Sequence, residues 1–99
     1  MSQAIDNLTS ITGRVLHRTR HPSLADYDLL NIVIEHAEPV PGRADLLSSQ
    51  LGKEIGVTVR RELLGEAQPG SNLRCRAKRT PDGAMCEPYP ELGNFTVIP

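Results

Sequence analysis

Basic side chains alternate with small or apolar ones from residue 73 to residue 78, where the sequence reads Leu-Arg-Cys-Arg-Ala-Lys. Neighbouring side chains of a β-strand point to opposite faces. If the apolar set faces a core, Arg74, Arg76 and Lys78 are predicted to share the solvent face. The planar guanidinium group of arginine suits phosphate oxygens. This spacing therefore favours the binding of a phosphate-bearing polyanion.

The same period of two recurs in other segments. It places Arg14, Arg18 and Arg20 on the outer face of a first strand, and Arg60 on the outer face of a third. Tyr27 is the one aromatic residue predicted near the first two strands. The residues that we expect to contact nucleic acid are Arg14, Arg18, Arg60, Arg74, Arg76, Lys78 and Tyr27.

The overall charge balance supports a simpler interpretation of the same residues. The chain has 11 basic and 12 acidic residues, a net charge of -1, and only three aromatic residues, Tyr27, Tyr89 and Phe95. No global field therefore attracts nucleic acid, and few rings are present to stack on bases. The alternative is a solvated charged face that discourages aggregation of sheet edges.

The cysteines and histidines do not have the spacing of a metal site. His17, His21 and His36 are not spaced as zinc ligands, and no Cys-x-x-Cys pair is present. A tight turn over residues 80–83 would set Cys86 opposite Ala77 and diagonal to Cys75, with both thiols inward. A diagonal pair is poorly placed for a disulfide. We expect two small buried side chains.

Signatures of catalysis are also missing from the sequence. Asp26 and Asp28 are predicted in a loop, where carboxylates usually accept backbone hydrogen bonds. No serine lies in a nucleophile elbow, and no glycine-rich loop is built to hold phosphates. We therefore expect a protein that is not an enzyme and carries no cofactor or metal.

The elements that position these residues are mostly strands, separated by frequent turn signals. Residues 1–99 are predicted to form one domain, with a bulge or bend at Gly13. The predicted strands are Leu8–Thr19, Tyr27–Ala37, Ile55–Val59 with an extension to Leu63, Leu73–Lys78, Ala84–Tyr89 and a final short strand, Phe95–Ile98. One helix is predicted, at Arg43–Lys53, from its leucine stripe and a terminal glycine; an irregular loop is the alternative.

The segments Thr12-Gly13-Arg14-Val15, Val57-Thr58-Val59 and residues 69–76, Pro-Gly-Ser-Asn-Leu-Arg-Cys-Arg, resemble the OB-fold. The resemblance implies an all-β, five-stranded Greek-key barrel with at most one short helix. It also implies that the first and fourth strands are neighbours, and that single-stranded DNA or RNA binds the outer face. One departure is that the predicted helix precedes the third strand instead of following it.

An immunoglobulin-like sandwich is the alternative fold. Against it, Cys75 and Cys86 are too close in sequence for the bridge between its sheets, and tryptophan is absent.

The remaining expectations concern location and partners. The N-terminus lacks the pattern of a secretion signal, and the longest apolar run, residues 29–34, has only the length of a strand. Two cysteines in such a chain predict reduced thiols, a cytoplasmic protein and no membrane association. The alternative function is a protein-interaction or assembly subunit. The strand Leu29–Ile34 and the tail Pro88–Pro99 are the segments predicted to contact a partner or a second copy.

Overall fold

The computed structural model describes residues 6–98, within which six strands, one helical turn and one 3-10 turn are defined. The strands are β1 (Thr9–Arg20), β2 (Tyr27–Pro39), β3 (Glu54–Arg60), β4 (Asn72–Thr80), β5 (Gly83–Cys86) and β6 (Phe95–Ile98). The helical turn, α1, spans Arg61–Leu64, and the 3-10 turn spans Ser48–Gln50. Within residues 6–98 there is no helix with the length and hydropathy needed to cross a membrane.

The strands form a closed barrel. The sheet order is β1-β2-β3-β5-β4, and additional pairing of β1 with β4 closes the sheet on itself. Only the pairing between β3 and β5 is parallel; the other pairings among the described strands are antiparallel. This arrangement confirms the predicted small all-β barrel. The immunoglobulin-like alternative, with two stacked sheets, is wrong.

The sixth strand continues the line of the fifth. On β4, Ala77 pairs with Cys86 of β5, and Cys75 pairs with Phe95 of β6. A step of two residues along β4, from 77 to 75, is therefore matched by a step of nine residues, from 86 to 95, on the side where β5 and β6 lie. Residues 87–94, called the 87–94 loop below, leave the sheet between two collinear strands. The predicted strand Ala84–Tyr89 is thus too long at its end, whereas Phe95–Ile98 is confirmed.

The predicted helix at Arg43–Lys53 is wrong. Only Ser48–Gln50 is helical, as a single 3-10 turn. The carboxylate of Asp45 accepts hydrogen bonds from the Ser48 backbone N–H at 3.0 Å and from the Thr9 hydroxyl of β1 at 2.8 Å. Short polar side chains that bind nearby backbone groups favour turns over continuous helix. This cluster therefore fixes the β2–β3 connection against β1 as a loop.

Hydrogen bonding also sets the charge state of Asp45. The largest contribution is the hydrogen bond from the Ser48 hydroxyl, which lowers the pKa of Asp45, whereas burial raises it. Further hydrogen bonds from the Ser48 and Leu47 amides and the Thr9 hydroxyl also lower this pKa, which therefore lies below its usual value. An ionised Asp45 accepts all of these bonds at neutral pH.

The barrel interior is filled by aliphatic side chains and two thiols. Inward residues of β2, such as Leu30, Ile32 and Ile34, are fully buried. The other members of the core cluster are Ile11, Val15, Leu47, Val57, Val59, Leu64, Ala67, Leu73, Cys75, Ala77, Ala84 and Cys86. With no tryptophan in the chain, this core relies on branched side chains that pack well on pleated strands.

Gly13 allows β1 to bend. The register with β2 shifts between Thr12 and Gly13. A Cβ at Gly13 would lie 2.7 Å from the Val33 carbonyl oxygen, closer than van der Waals contact permits. The extra residue of this bulge is Glu35 of β2, so the irregularity predicted at Gly13 is present but the bulged strand is β2. The absence of a side chain at Gly13 lets β1 curve between its two neighbours.

Candidate nucleic-acid interface

The basic residues of β1 and β4 lie on adjacent antiparallel strands. Arg14 pairs with Asn72, Thr12 with Arg74, and Ser10 with Arg76. Arg14 is thus diagonal to Arg74, and successive outward residues along β4 are about 7 Å apart. Since Lys78 follows in the same phase, four cations share one outer surface. We call Arg14, Arg74, Arg76 and Lys78 the basic face. The prediction that the first and fourth strands are neighbours is confirmed.

The cations of the basic face form no ion pairs among the described residues, although Glu87 lies next to Arg76, where its N–H donates to the Arg76 carbonyl at 3.0 Å. Arg14, Arg74 and Lys78 are exposed and Arg76 is half-buried. Among residues 6–98, none of the four forms an ion pair with a carboxylate. Guanidinium groups without a carboxylate partner remain available to an anion from solution.

Hydroxyl groups flank these arginines. Arg74 lies between Thr12 of β1 and Thr96 of β6, and Arg76 lies beside Ser10. Hydroxyls donate hydrogen bonds to phosphate oxygens and bring no competing negative charge. These hydroxyl groups therefore suit an anion.

Arg18 does not belong to the basic face, so its predicted outward position is wrong. A second register shift, between Val15 and His17, reverses the phase of β1. The Arg18 Nε donates to Asp28 Oδ2 at 2.9 Å, and its Nη1 donates to the carbonyls of Gly65 and Ala67 at 2.9 and 2.7 Å. The shift also leaves His17 exposed.

Asp28 joins Arg18 to a second arginine. Arg61 of α1 donates from Nε to Asp28 Oδ1 at 2.8 Å, and the Asp28 side chain is only 6% exposed. Burial by itself raises the pKa of Asp28, but hydrogen bonds from Arg61 and Arg18, and their charges, outweigh it and hold that pKa below its usual value. This ion-pair triad fastens the start of β2 to the end of β1 and to α1.

Asp28 lies in β2, as the predicted strand Tyr27–Ala37 implies, and not in the loop before it. Strand phase is the sequence signal that indicates its inward position. Asp28 has the same phase as Leu30 and Ile32, which are buried. A carboxylate in the inward phase of a strand requires a cationic partner. The role of Arg61 could not be predicted from a local pattern, because its partner, Asp28, is 33 residues away in the chain.

Arg60 and Tyr27 lie away from the basic face. They pair with each other across β2 and β3. The Arg60 Nε donates to the Pro88 carbonyl at 2.8 Å, its Nη1 pairs with Glu62 at 2.5 Å, and its guanidinium lies 4.7 Å from the centre of the Tyr89 ring. Arg60 therefore anchors the 87–94 loop, and the seven predicted contact residues do not form one surface.

A cleft lies between the β1–β2 and β4–β5 turns. Its volume is about 440 Å³, and its walls include Leu24, Leu29, Thr58, Asp82 and Met85. None of its lining residues is lysine or arginine. The cleft therefore lacks the lysine and arginine cations that neutralise phosphate charge.

The two cysteine thiols have the diagonal, inward positions that were predicted from the sequence. Cys86 pairs opposite Ala77, diagonal to Cys75, and both cysteines are free and buried. A hydrogen bond with Cys86, together with burial, raises the pKa of the Cys75 thiol. Because the thiolate is the reactive form, Cys75 is an inert core residue at neutral pH.

Comparison of the chain with protein-family models, curated proteins and solved structures found no match. Among residues 6–98, no three histidine, cysteine, aspartate or glutamate side chains are grouped as metal ligands. A fold alone does not define a function. The functional argument therefore rests on the geometry and charge of the basic face.

Proposed function

We propose that this protein is a non-catalytic binding module that holds single-stranded nucleic acid on its basic face. One observation carries the proposal: four cations on two paired strands have no carboxylate partner within residues 6–98. Positioned cations of this kind supply most of the affinity in sequence-independent nucleic-acid binding.

We further propose that the barrel belongs to the OB-fold superfamily. Three features support this assignment: the closed strand order, the parallel pairing of β3 with β5, and the position of α1 between β3 and β4. The last feature removes the departure noted in the sequence, where the helix was expected before the third strand. OB-folds commonly bind single strands, which favours these over duplexes as ligands.

The proposed binding is phosphate neutralisation with little recognition of base identity. For single strands, the logarithm of the binding constant falls with the logarithm of salt concentration by about 0.7 per neutralised phosphate. If Arg14, Arg74, Arg76 and Lys78 each bind one phosphate, the expected slope is about -3.

Removing two of these arginines should weaken binding and flatten its salt dependence. For Arg74→Ala/Arg76→Ala we expect affinity for a labelled single-stranded oligonucleotide to fall about tenfold or more at low salt, and the slope to change to about -1.4. Fluorescence anisotropy at several salt concentrations measures both quantities, with DNA and RNA.

The matched control removes the same charge elsewhere. Arg20 and Lys53 are exposed and lie outside the basic face, so Arg20→Ala/Lys53→Ala should keep most of the wild-type affinity. Equal losses in the two double variants would mean that net charge alone drives association. No binding by the wild-type protein at low salt would remove nucleic acid as the ligand.

We propose self-association through the 87–94 loop as the second candidate function. Tyr89 is 80% exposed and Leu92 is fully exposed, while Arg60 holds Pro88 and the Tyr89 ring in place. Exposed apolar side chains on an anchored loop are typical of contact sites. The other predicted contact segment, Leu29–Ile34, is not available as an edge, because β2 pairs with both β1 and β3.

Sedimentation equilibrium tests this second candidate. The wild-type protein should show a concentration-dependent dimer, and Tyr89→Ser/Leu92→Ser should shift it to monomer. The control Leu24→Ser/Leu51→Ser changes two other exposed leucines and should leave the dimer intact. A wild-type protein that is monomeric at all concentrations tested would exclude self-association.

A further inference from the structure

A pocket of about 270 Å³ opens at the Lys78 end of the basic face. Its apolar walls come from Leu8, Met85 and Pro88; its charged residues are the cations Lys78 and Arg43 and the acidic Glu87. Lys78 and Met85 are paired across β4 and β5, so the pocket begins directly beside the outward row of β4. Its volume lies just below the range of about 300–1,000 Å³ for drug-sized ligands, which suits a smaller group.

The pocket is continuous with the basic face through Lys78. Arg74, Arg76 and Lys78 follow one another at every second residue of β4, so a chain of phosphates lying along this row leads to the pocket mouth. Of the two cations of the pocket, Arg43 is paired with Asp6 at 2.6 Å. Lys78 has no carboxylate partner among residues 6–98.

The pocket wall near Asn7 is fixed by hydrogen bonds between the Asn7 side chain and the backbone of β4. The Asn7 side-chain oxygen accepts a hydrogen bond from the Arg79 amide at 2.6 Å, and its side-chain nitrogen donates to the Arg79 carbonyl at 3.4 Å. These bonds fix the segment before β1 against the end of β4. The pocket is therefore pre-formed, and binding in it requires little ordering of this wall.

We propose that this pocket receives one unstacked nucleobase of a strand bound to the basic face. A base is flat and largely apolar on its two surfaces, which suits contact with Leu8, Met85 and Pro88. Tyr89 offers a ring elsewhere, but the two cations of the pocket beside it, Arg60 and Arg61, are already paired with carboxylates, whereas Lys78 is not paired within residues 6–98. The proposal rests on the proposed function, and it adds a preference for nucleic acid over polyanions without bases.

The experiment compares an ordinary single-stranded oligonucleotide with an abasic phosphodiester of equal length and charge. Wild-type protein should bind the ordinary strand about fivefold more tightly, the effect of burying roughly 40 Å² of apolar surface. Met85→Ala and Pro88→Ala should each reduce this preference and leave binding of the abasic strand unchanged. Leu24→Ala, in the cleft between the two turns, is the control and should keep the preference.

The possible outcomes separate the pocket from the basic face. Equal binding of both strands by the wild-type protein would overturn the pocket and leave the basic face as a general phosphate site. No binding of either strand would remove the proposed function and the pocket together. A preference for the ordinary strand that all three variants retain would place the base contact elsewhere. Thermal melting of each variant checks that it is folded.

Discussion

Replacing Asp28 with asparagine is expected to lower the free energy of unfolding by about 2–3 kcal/mol. The substitution keeps the shape of the side chain but removes the charge that faces Arg18 and Arg61, whose bonds to Asp28 are 2.9 and 2.8 Å long. Both cations then lose their partner at a site where the Asp28 side chain is 6% exposed. The loss is smaller than for a fully buried pair, because the two arginines are 21% and 36% exposed.

Urea unfolding of Asp28→Asn and Glu62→Gln measures this effect. Glu62 pairs with Arg60 but is 82% exposed, so its replacement by glutamine should cost under about 0.5 kcal/mol. The two substitutions change a carboxylate to an amide in the same way and differ in burial. An Asp28→Asn protein as stable as Glu62→Gln would show that the triad does not hold the barrel together.

The pH dependence of stability provides a second readout of Asp28. The folded protein holds the pKa of Asp28 below its ordinary value of 3.8, so the unfolded chain binds the proton more strongly. The contribution of Asp28 is therefore complete above about pH 5 and is lost as the pH falls through the folded pKa. The stability difference between the wild-type protein and Asp28→Asn should shrink below pH 3.8.

Replacing Gly83 with alanine is expected to destabilise the barrel by about 3 kcal/mol or more. Gly83 begins β5, next to the parallel pairing of β5 with β3. A Cβ at this position would lie within van der Waals overlap of the Gly56 carbonyl oxygen, and the backbone has a φ of 149°. The contact involves backbone atoms of two paired strands, so no side-chain rotation relieves it.

Substitutions at two further glycines distinguish backbone strain from steric overlap as the cause of the lost stability. Gly42 has a φ of +80° and no atom within 4 Å of the point where a Cβ would lie, so Gly42→Ala measures backbone strain alone, about 1 kcal/mol. At Gly56 the nearest atom is Leu29 Cδ1 at 3.5 Å, and Gly56→Ala should cost less. Thermal unfolding of the three variants gives the order. A Gly83→Ala protein as stable as Gly42→Ala would contradict the close approach of β3 and β5.

Local patterns predicted most strands and the central part of the candidate site. The alternation at residues 73–78 was sufficient to place Arg74, Arg76 and Lys78 outward, because the side chains of a regular strand must alternate. The Pro-Asp-Gly turn set the register of β4 and β5, and so the diagonal position of the two cysteines, Cys75 and Cys86. These predictions needed no information from outside the segment.

The same alternation gave wrong results where the strand was irregular. A register shift after Val15 moved Arg18 from the surface to Asp28, and a bulge has no unique sequence signal. The leucines at residues 46, 47 and 51 indicated a helix, but Asp45 bound Ser48 and Thr9 instead. Thr9 lies 36 residues from Asp45, so a local pattern contains no sign of this competition.

The sequence by itself determined the strands, their apolar faces and the outward cations of β4, because these follow from a period of two within single segments. Only the tertiary structure decided which cations act together. Closure of the barrel by β1 and β4 brings Arg14 beside Arg74, whereas the triad at Asp28 withdraws Arg18 and the 87–94 loop engages Arg60. Such pairings join residues far apart in the chain, and they depend on the register and bulges of the whole sheet.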